Sequence, residues 1–337
     1  MDFSNSCPLL RVLDLSFTRI EELPVGITGL VELQYLNLEN TYIKTLPKEL
    51  GKLWKLRYLN LRSTHELVTI PVEVIQGLSW LQVLNLFQSR ICKSWEVEDC
   101  YGDSNGVSLR DLESLQSLNT LGISISSVSF LQRFLNSDKL RQCTRLLSIK
   151  CSRLNSLPLS LSVLGNLKSL HSFLCSDCLD LVEWYFDAPV GRGQSIWHSS
   201  LEYLYLNNLP NLKIIEKAGL QPQLYFRNLR YVAISDCHLL KDLTWLLRLC
   251  RLQHIRLNRC NGMEEIICDG VVMVEEELII FSRLHTIEIP SLPEFKSICA
   301  NTLPLPSLKK IEVIHCPKLK KLPLDCSAMN TLELIDH

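Results

Sequence analysis

The most constraining feature of the sequence is a pattern of leucines that repeats every 23 residues near its start. Leu10, Leu33 and Leu56 each open one copy. The pattern Leu-x-x-Leu-x-Leu-x-x-Thr-x-Ile-x-x-Leu-Pro covers residues 10–24 and again 33–47. Related but less regular copies continue to the end of the chain. A sequence of this kind predicts units that stack on their neighbours rather than one closed core.

The period and spacing are those of leucine-rich repeats. Because side chains alternate along a strand, Leu36 and Leu38 share one face while Asn37 points the other way. One repeat alone buries too little apolar area to offset the backbone entropy, about 1–2 kcal/mol per ordered residue. We therefore predict an α/β leucine-rich repeat solenoid, a horseshoe or arc. Its parallel β-sheet lines the concave face, and short helices or irregular turns form the convex face.

The regularity of the repeats changes along the chain and predicts its layout. Regular N-terminal repeats occupy residues 1–93, and a polar loop insertion follows at 94–108. Irregular repeats span 109–187, a second loop insertion spans 188–198, and C-terminal repeats span 199–337. We predict one continuous solenoid without a nucleotide-binding domain. Gly51-Lys52 is followed by Leu53 and lacks the Ser or Thr of a phosphate loop, so we expect no cofactor here.

Composition and charge narrow the possible partners. The formal net charge is −1, from 35 basic and 36 acidic residues, which gives no reason to expect a nucleic-acid partner. No apolar stretch predicts a membrane span, and residues 1–6 do not resemble a signal peptide. With no export signal visible, we expect the 14 cysteines to be reduced and the chain to be cytoplasmic.

Most cysteines fall at positions that favour a structural role. Thr18, Thr41 and Thr64 hold one repeat position, which Cys237, Cys260 and Cys316 hold in later repeats. We expect the Thr hydroxyl there to bond a turn amide, and Cys to fit as a small buried residue. Cys175 and Cys178 have zinc-like spacing but occupy core positions, so the structural interpretation is favoured over a metal. No catalytic motif is present, and we expect no enzyme activity.

The remaining candidate for function is the concave face, whose outward positions lie between the leucines. Aromatic and Arg side chains are common there, and these types dominate binding hot spots. They are also simply favoured in half-exposed strands, which is the competing explanation. The predicted partner-binding residues are Arg11, Asp14, Phe17, Tyr35, Asn37, Glu39, Arg57, Tyr58, Asn60, Arg62, Asn85, Phe87, Tyr203, Tyr205, Tyr231 and Arg256.

Several segments resemble one known family. The units at 10–24 and 33–47, the segment 260–268 and the ending Cys-Pro-Lys-Leu-Lys-Lys-Leu-Pro at 316–323 are similar to the repeats of plant intracellular immune receptors. The resemblance is to the class that carries a coiled coil, a nucleotide-binding module and a leucine-rich repeat region (NLR disease resistance proteins). The first two regions have no counterpart here. We therefore expect a fragment, a truncated product or a repeat-only relative.

The resemblance implies a non-enzymatic recognition module for defence. Its implied partners are a pathogen effector, a guarded host protein, or the receptor's own nucleotide-binding domain in cis or in trans. ADP or ATP would bind only to an upstream nucleotide-binding domain of a full receptor. Two alternatives stay open at this point, namely a substrate-recognition solenoid of a ubiquitin ligase and a leucine-rich repeat signalling scaffold.

Overall fold

The computed structural model describes residues 7, 9–90, 107–151, 167–184, 200–215, 226–267, 281–299, 305–320, 322 and 333–336. The chain divides into two compact units, residues 1–150 and residues 151–337. Most of the predicted insertion at 94–108, and all of the insertion at 188–198, lie outside the described residues.

The first unit contains a parallel sheet with one strand from each repeat. Its strands are β1 Val12–Asp14, β2 Tyr35–Asn37, β3 Tyr58–Asn60, β4 Val83–Asn85, β5 Thr120–Ile125 and β6 Thr144–Ile149. Neighbouring strands pair at equivalent repeat positions, so that Leu36 lies beside Leu13 and Leu59. The predicted strand positions and parallel pairing are confirmed.

The segments that follow these strands form short helices. Two 3-10 helices span Val25–Gly29 and Lys48–Lys52, and the α-helices are α1 Val72–Gly77, α2 Leu109–Ser114, α3 Val128–Asn136 and α4 Asp138–Cys143. A proline directly precedes the first three helical segments, at Pro24, Pro47 and Pro71. Each is the N-cap residue, with an extended ψ of 137–138°, and its missing N–H costs no intrahelical hydrogen bond because the first N–H groups of a helix have no partner within it.

The second unit repeats this arrangement. Its parallel sheet contains β7 Ser172–Ser176, β8 Tyr203–Asn207, β9 Tyr231–Ser235, β10 His254–Asn258, β12 Thr286–Ser291, β14 Lys310–Val313 and β15 Glu333–Asp336. A separate two-stranded parallel ladder joins β11 Glu265–Ile267 to β13 Ser297–Cys299. A 3-10 helix spans Thr244–Arg248. The leucine-rich repeat architecture predicted from the sequence is therefore present in both units.

The inward side chains of each repeat form the core. Leu33, Leu36, Leu38, Leu56 and Leu59 have no exposed surface. At about 1.5–3 kcal/mol for each fully buried aliphatic side chain, these rows are the main stabilising contribution of the stack. Leu13 and Leu15 of the first repeat, which has no strand before it among the described residues, are only half-buried.

The Thr and Cys position of the repeat bonds differently from our expectation. The hydroxyls of Thr18, Thr41 and Thr64 donate to the backbone carbonyl three residues earlier, at 2.6–2.8 Å, and do not accept from a turn amide. Cys260 places its sulfur against the carbonyl of Asn258 at 3.5 Å. The shared requirement of this position is therefore a small side chain with a donor, which explains why Thr and Cys can both occupy it.

Cys175 and Cys178 lie in the core of the second unit. Their sulfurs are 3.5 Å apart, and that of Cys178 also faces the carbonyl of Ser176. The hydrogen bond to Cys178 and burial both raise the pKa of the Cys175 thiol. Across the described ranges, no cluster of three or more His, Cys, Asp or Glu side chains could hold a metal ion. In the same ranges, no helix has the length and apolar character needed to cross a membrane.

Candidate protein-recognition surface

The outward side chains of the strands form a surface that we call the sheet face. In the first unit, register between β2 and β3 places Tyr35 beside Tyr58. The two rings stack at a centroid distance of 4.3 Å with planes 8° from parallel. Burial, together with Tyr35, Glu39 and Asp14, raises the pKa of Tyr58 to about 12. The sheet face therefore presents a preorganised pair of flat rings, at the position of the strand that the sequence predicted.

The next outward position carries a row of polar side chains that bind the strand ends. The Asn37 amide donates to Asp14 at 3.0 Å, and its oxygen accepts the N–H of Glu39 at 3.1 Å. The Asn60 amide donates to Glu39 at 3.1 Å. Only 8% of Asn37 and 3% of Asn60 is exposed. These two predicted binding residues therefore secure the backbone and offer little surface to a partner.

The third outward position carries charges and aromatic rings. Arg62 lies 3.7 Å from Glu39 and places its guanidinium 5.5 Å from the centre of the Phe87 ring. Phe87 itself is only 4% exposed, with the Arg62 guanidinium over its ring. Phe17 lies one repeat position later, where the next repeats have Asn40, Ser63 and Gln88, and it is 71% exposed. Arg11 and Arg57, just before their strands, are also exposed, and Asn85 is half-buried.

In the second unit the predicted tyrosines belong to a longer aromatic row. Register between β8, β9 and β10 places Tyr203, Tyr231 and His254 side by side. Ring centroids are 6.1 Å apart from Tyr203 to Tyr231 and 6.0 Å apart from Tyr231 to His254. Tyr205 joins the row from the next outward position, 5.5 Å from Tyr231. The structure thus brings together the three tyrosines that the sequence singled out.

Two histidines extend this row beyond the residues we predicted. His171 lies 5.1 Å from Tyr203, and His285 lies 6.4 Å from His254. Both directly follow the first leucine of their repeat, Leu170 or Leu284, and this position in the pattern is the sequence signal that would have identified them. Burial and the neighbouring His285 lower the pKa of His254, against the opposing effect of Glu288.

Ion pairs border the aromatic row. Arg256 lies 2.7 Å from Glu288 in the next strand, and Arg230 lies 3.3 Å from Glu202. Each pair joins neighbouring repeats and leaves much of the arginine exposed. Exposed pairs of this kind contribute about 0–1 kcal/mol to stability. Their stronger effect is on which charges a partner meets, and Arg256 therefore remains in the predicted surface.

A comparison with family models agrees with this geometry. The model described as a leucine-rich repeat region matches residues 3–336. This chain belongs to the leucine-rich repeat family.

Relatives of this repeat region include disease resistance proteins of Arabidopsis thaliana. Disease resistance protein UNI is 31% identical over 328 residues, which cover 96% of this chain and 32% of that protein. A probable disease resistance protein of the same plant is 33% identical over 327 residues, covering 96% of this chain and 31% of the relative. The predicted resemblance to the repeat region of plant disease resistance proteins is thereby confirmed. The chain spans about a third of the length of these relatives.

Among solved structures, similar chains include an internalin from Listeria monocytogenes. It is 16% identical, with a TM-score of 0.45, over 94% of this chain and 87% of that chain. A leucine-rich repeat protein of Leptospira interrogans is 18% identical, with a TM-score of 0.38, over 97% of this chain and 96% of that one.

Proposed function

We propose that this repeat region is the protein-recognition module of a plant intracellular immune receptor. Its sheet face binds a pathogen effector or a guarded host protein. In a full receptor the same module restrains a nucleotide-binding switch until that partner arrives. The observation that carries the proposal is the match to disease resistance proteins over 96% of the chain.

The chemistry of the sheet face supports protein recognition. Large aromatic rings on the sheet face are held in place by their neighbours, namely those of Tyr35, Tyr58, Tyr203 and Tyr231. Binding a partner therefore costs little side-chain entropy at these positions. Arginines such as Arg256 add charged groups at the border of the rows. Tyr and Arg are enriched among residues that dominate binding energy. A rigid sheet lets each repeat vary its outward residues without disturbing the core.

The proposal makes the module a binding protein rather than an enzyme. The sheet-face residues offer contact area and charge, whereas hydrolytic or transfer chemistry needs a nucleophile held beside its base. ADP or ATP would bind to the separate nucleotide-binding module. We place the module in the cytoplasm, following the resemblance to intracellular receptors.

The test starts from a purified candidate effector or host protein that binds this chain in a pairwise assay. We expect Tyr231→Ala or Tyr203→Ala to weaken binding about tenfold or more, since truncating a central aromatic anchor costs at least 1–2 kcal/mol. Tyr42→Ala is the matched control, because Tyr42 is 54% exposed but lies outside the strands. Binding that survives both sheet-face changes and is lost with Tyr42→Ala would show that recognition uses another surface.

A second measurement addresses restraint. Co-expression of this chain with a separately produced nucleotide-binding module of a disease resistance protein should give a complex that co-purifies. We expect Arg62→Glu to weaken that complex, because it removes the cation that lies 3.7 Å from Glu39 and puts a second negative charge on this part of the sheet face. Absence of any complex with the unchanged chain would remove the restraint role but would leave effector recognition standing.

A further inference from the structure

Two tryptophans are exposed beside the sheet face of the first unit, because each lies in a turn between two buried leucines. Trp54 lies in the turn before β3 and Trp80 in the turn before β4. Each turn closes through a backbone hydrogen bond, from Leu56 to Leu53 at 2.8 Å and from Leu81 to Leu78 at 3.0 Å. All four leucines are fully buried, so the residues between them must face outward. Trp54 is 45% exposed and Trp80 is 48% exposed.

The two rings form one preorganised surface, which we call the tryptophan patch. Trp54 and Trp80 meet edge to face, with centroids 5.5 Å apart and planes at 88°. The ammonium of Lys55 lies 5.2 Å from the Trp54 centroid, and the guanidinium of Arg57 lies 5.8 Å from the Trp80 centroid. A cation at this distance is attracted to the face of an indole ring and helps to hold the ring in place. Binding a partner would therefore cost little further side-chain entropy.

Arg57 has no carboxylate partner among the described residues, whereas three other cations of the neighbouring repeats do. Lys44, Lys55 and Arg62 each pair with a glutamate one repeat earlier. The residues at the position of Arg57 in the adjacent repeats are Gln34 and Gln82, whose backbones bond to its own. Of the carboxylates that the structure describes, none lies within 4.0 Å of the Arg57 side chain. The patch therefore combines exposed indole surface with one cation that no described carboxylate neutralises.

We propose that the tryptophan patch docks a protein segment in which an acidic side chain stands next to an apolar or aromatic one. The carboxylate pairs with the fork of the Arg57 guanidinium, in the bidentate geometry that this group favours. The neighbouring apolar side chain packs on the rings of Trp54 and Trp80. Trp and Arg are the residue types most enriched at binding hot spots. This surface lies outside the strands, and the proposal does not rest on the function proposed for the sheet face.

The local charges favour a protein segment over an anionic membrane. Recognition of acidic lipids uses clusters of about four to eight cations. Here Lys55 is neutralised by Glu32 at 2.5 Å, which leaves Arg57 as the cation available to a ligand within the patch. The acidic side chain of Glu32 also disfavours a negative bilayer surface. A single free guanidinium beside apolar rings matches a single carboxylate beside an apolar side chain.

The test uses two displayed peptide pools that differ at one fixed central position. One pool carries Asp or Glu there and the other Asn or Gln, and both have varied apolar and aromatic residues on either side. We expect selection on the full chain to enrich the acidic pool. Each selected peptide should bind about tenfold or more weakly to Arg57→Gln and to Trp80→Ala, as expected for hot-spot residues. Replacing the acidic residue of the peptide by its amide should weaken binding to the unchanged chain by a similar factor. The same replacement should weaken binding to Arg57→Gln little further, because the pairing group on the chain is already absent.

The control is Arg62→Gln, which removes a cation that also lies over an aromatic ring but already has the partner Glu39. It should leave peptide binding unchanged, as should Tyr231→Ala in the second unit. Circular dichroism and denaturation midpoints would establish that each variant is folded. If Trp80→Ala is not folded, Arg57→Gln decides the outcome. Equal enrichment of the two pools, or unchanged binding to Arg57→Gln, would overturn the proposal. So would binding to vesicles of phosphatidylserine and phosphatidylcholine that Trp80→Ala abolishes.

Discussion

The ring of Tyr35 lies flat against the ring of Tyr58, with centroids 4.3 Å apart. That distance approaches the roughly 4.8 Å between neighbouring strands, because both tyrosines occupy the same repeat position in strands that pair in register. A row of like side chains is thus a direct consequence of the repeat. The same geometry aligns Tyr203 with Tyr231 in the second unit.

Tyr58 should be among the last tyrosines of this chain to ionise. Burial disfavours its phenolate and raises its pKa from 10.0 to about 12. A raised pKa in the folded state gives stability that is present below pH 10 and is lost as the pH rises towards 12. Alkaline titration followed by phenolate absorbance should contain a late component that Tyr58→Phe removes. Tyr42→Phe, as the control, should leave that component in place, and its persistence in Tyr58→Phe would contradict the assignment.

Gly77→Ala should destabilise the first unit. An added Cβ at Gly77 would lie 2.2 Å from the carbonyl oxygen of Gly51 in the preceding repeat, where no flexible atom can move aside. Alanine is the better helix former by about 1 kcal/mol, so a loss of stability would show that the clash dominates. We expect a net cost of about 1–3 kcal/mol in denaturant unfolding. The control is Gln76→Ala, because Gln76 is the exposed neighbour of Gly77 in α1. It should change stability by less than about 0.5 kcal/mol.

Asn40 should tolerate glycine better than alanine. Its φ is 52°, and Ser63 and Gln88 at equivalent positions of the next repeats have φ of 55° and 60°. This left-handed region costs an ordinary side chain roughly 1–2 kcal/mol and costs glycine almost nothing. We expect Asn40→Ala to unfold at a lower denaturant concentration than Asn40→Gly. The reverse order would mean that the turn does not hold this conformation in solution.

Thr41→Val should cost about 1–3 kcal/mol, although valine has nearly the same shape. Thr41 is 4% exposed, and its hydroxyl donates to the carbonyl of Leu38 at 2.8 Å. Valine leaves that buried carbonyl without this donor. Thr41→Cys should cost less, because Cys260 at the corresponding position of a later repeat places its sulfur against a backbone carbonyl. Equal unfolding midpoints for the two variants would show that size alone selects the residue at this position.

The repeat pattern was sufficient to predict which side chains lie on the sheet face of the regular repeats. A 23-residue period assigns Tyr35 and Tyr58 to one position and Leu36 and Leu59 to the opposite face, and the structure agrees. The pattern was less informative about exposure. Asn37, Asn60 and Phe87 occupy outward positions and are nevertheless largely buried. Their burial depends on bonds to Asp14 and Glu39 and on the position of Arg62, and these partners come from other repeats.

The sequence by itself determined the period, the face that each leucine occupies and the parallel pairing of the strands, because these follow from local alternation and from the need to cover apolar rows. Tertiary structure alone decided which outward side chains remain open and what they meet. Arg57 is an ordinary arginine in the sequence. Stacking places Gln34 and Gln82 beside it and Trp80 beneath its guanidinium, so no described carboxylate pairs with it. Such contacts form between different repeats, so the residue pattern within any one repeat does not reveal them.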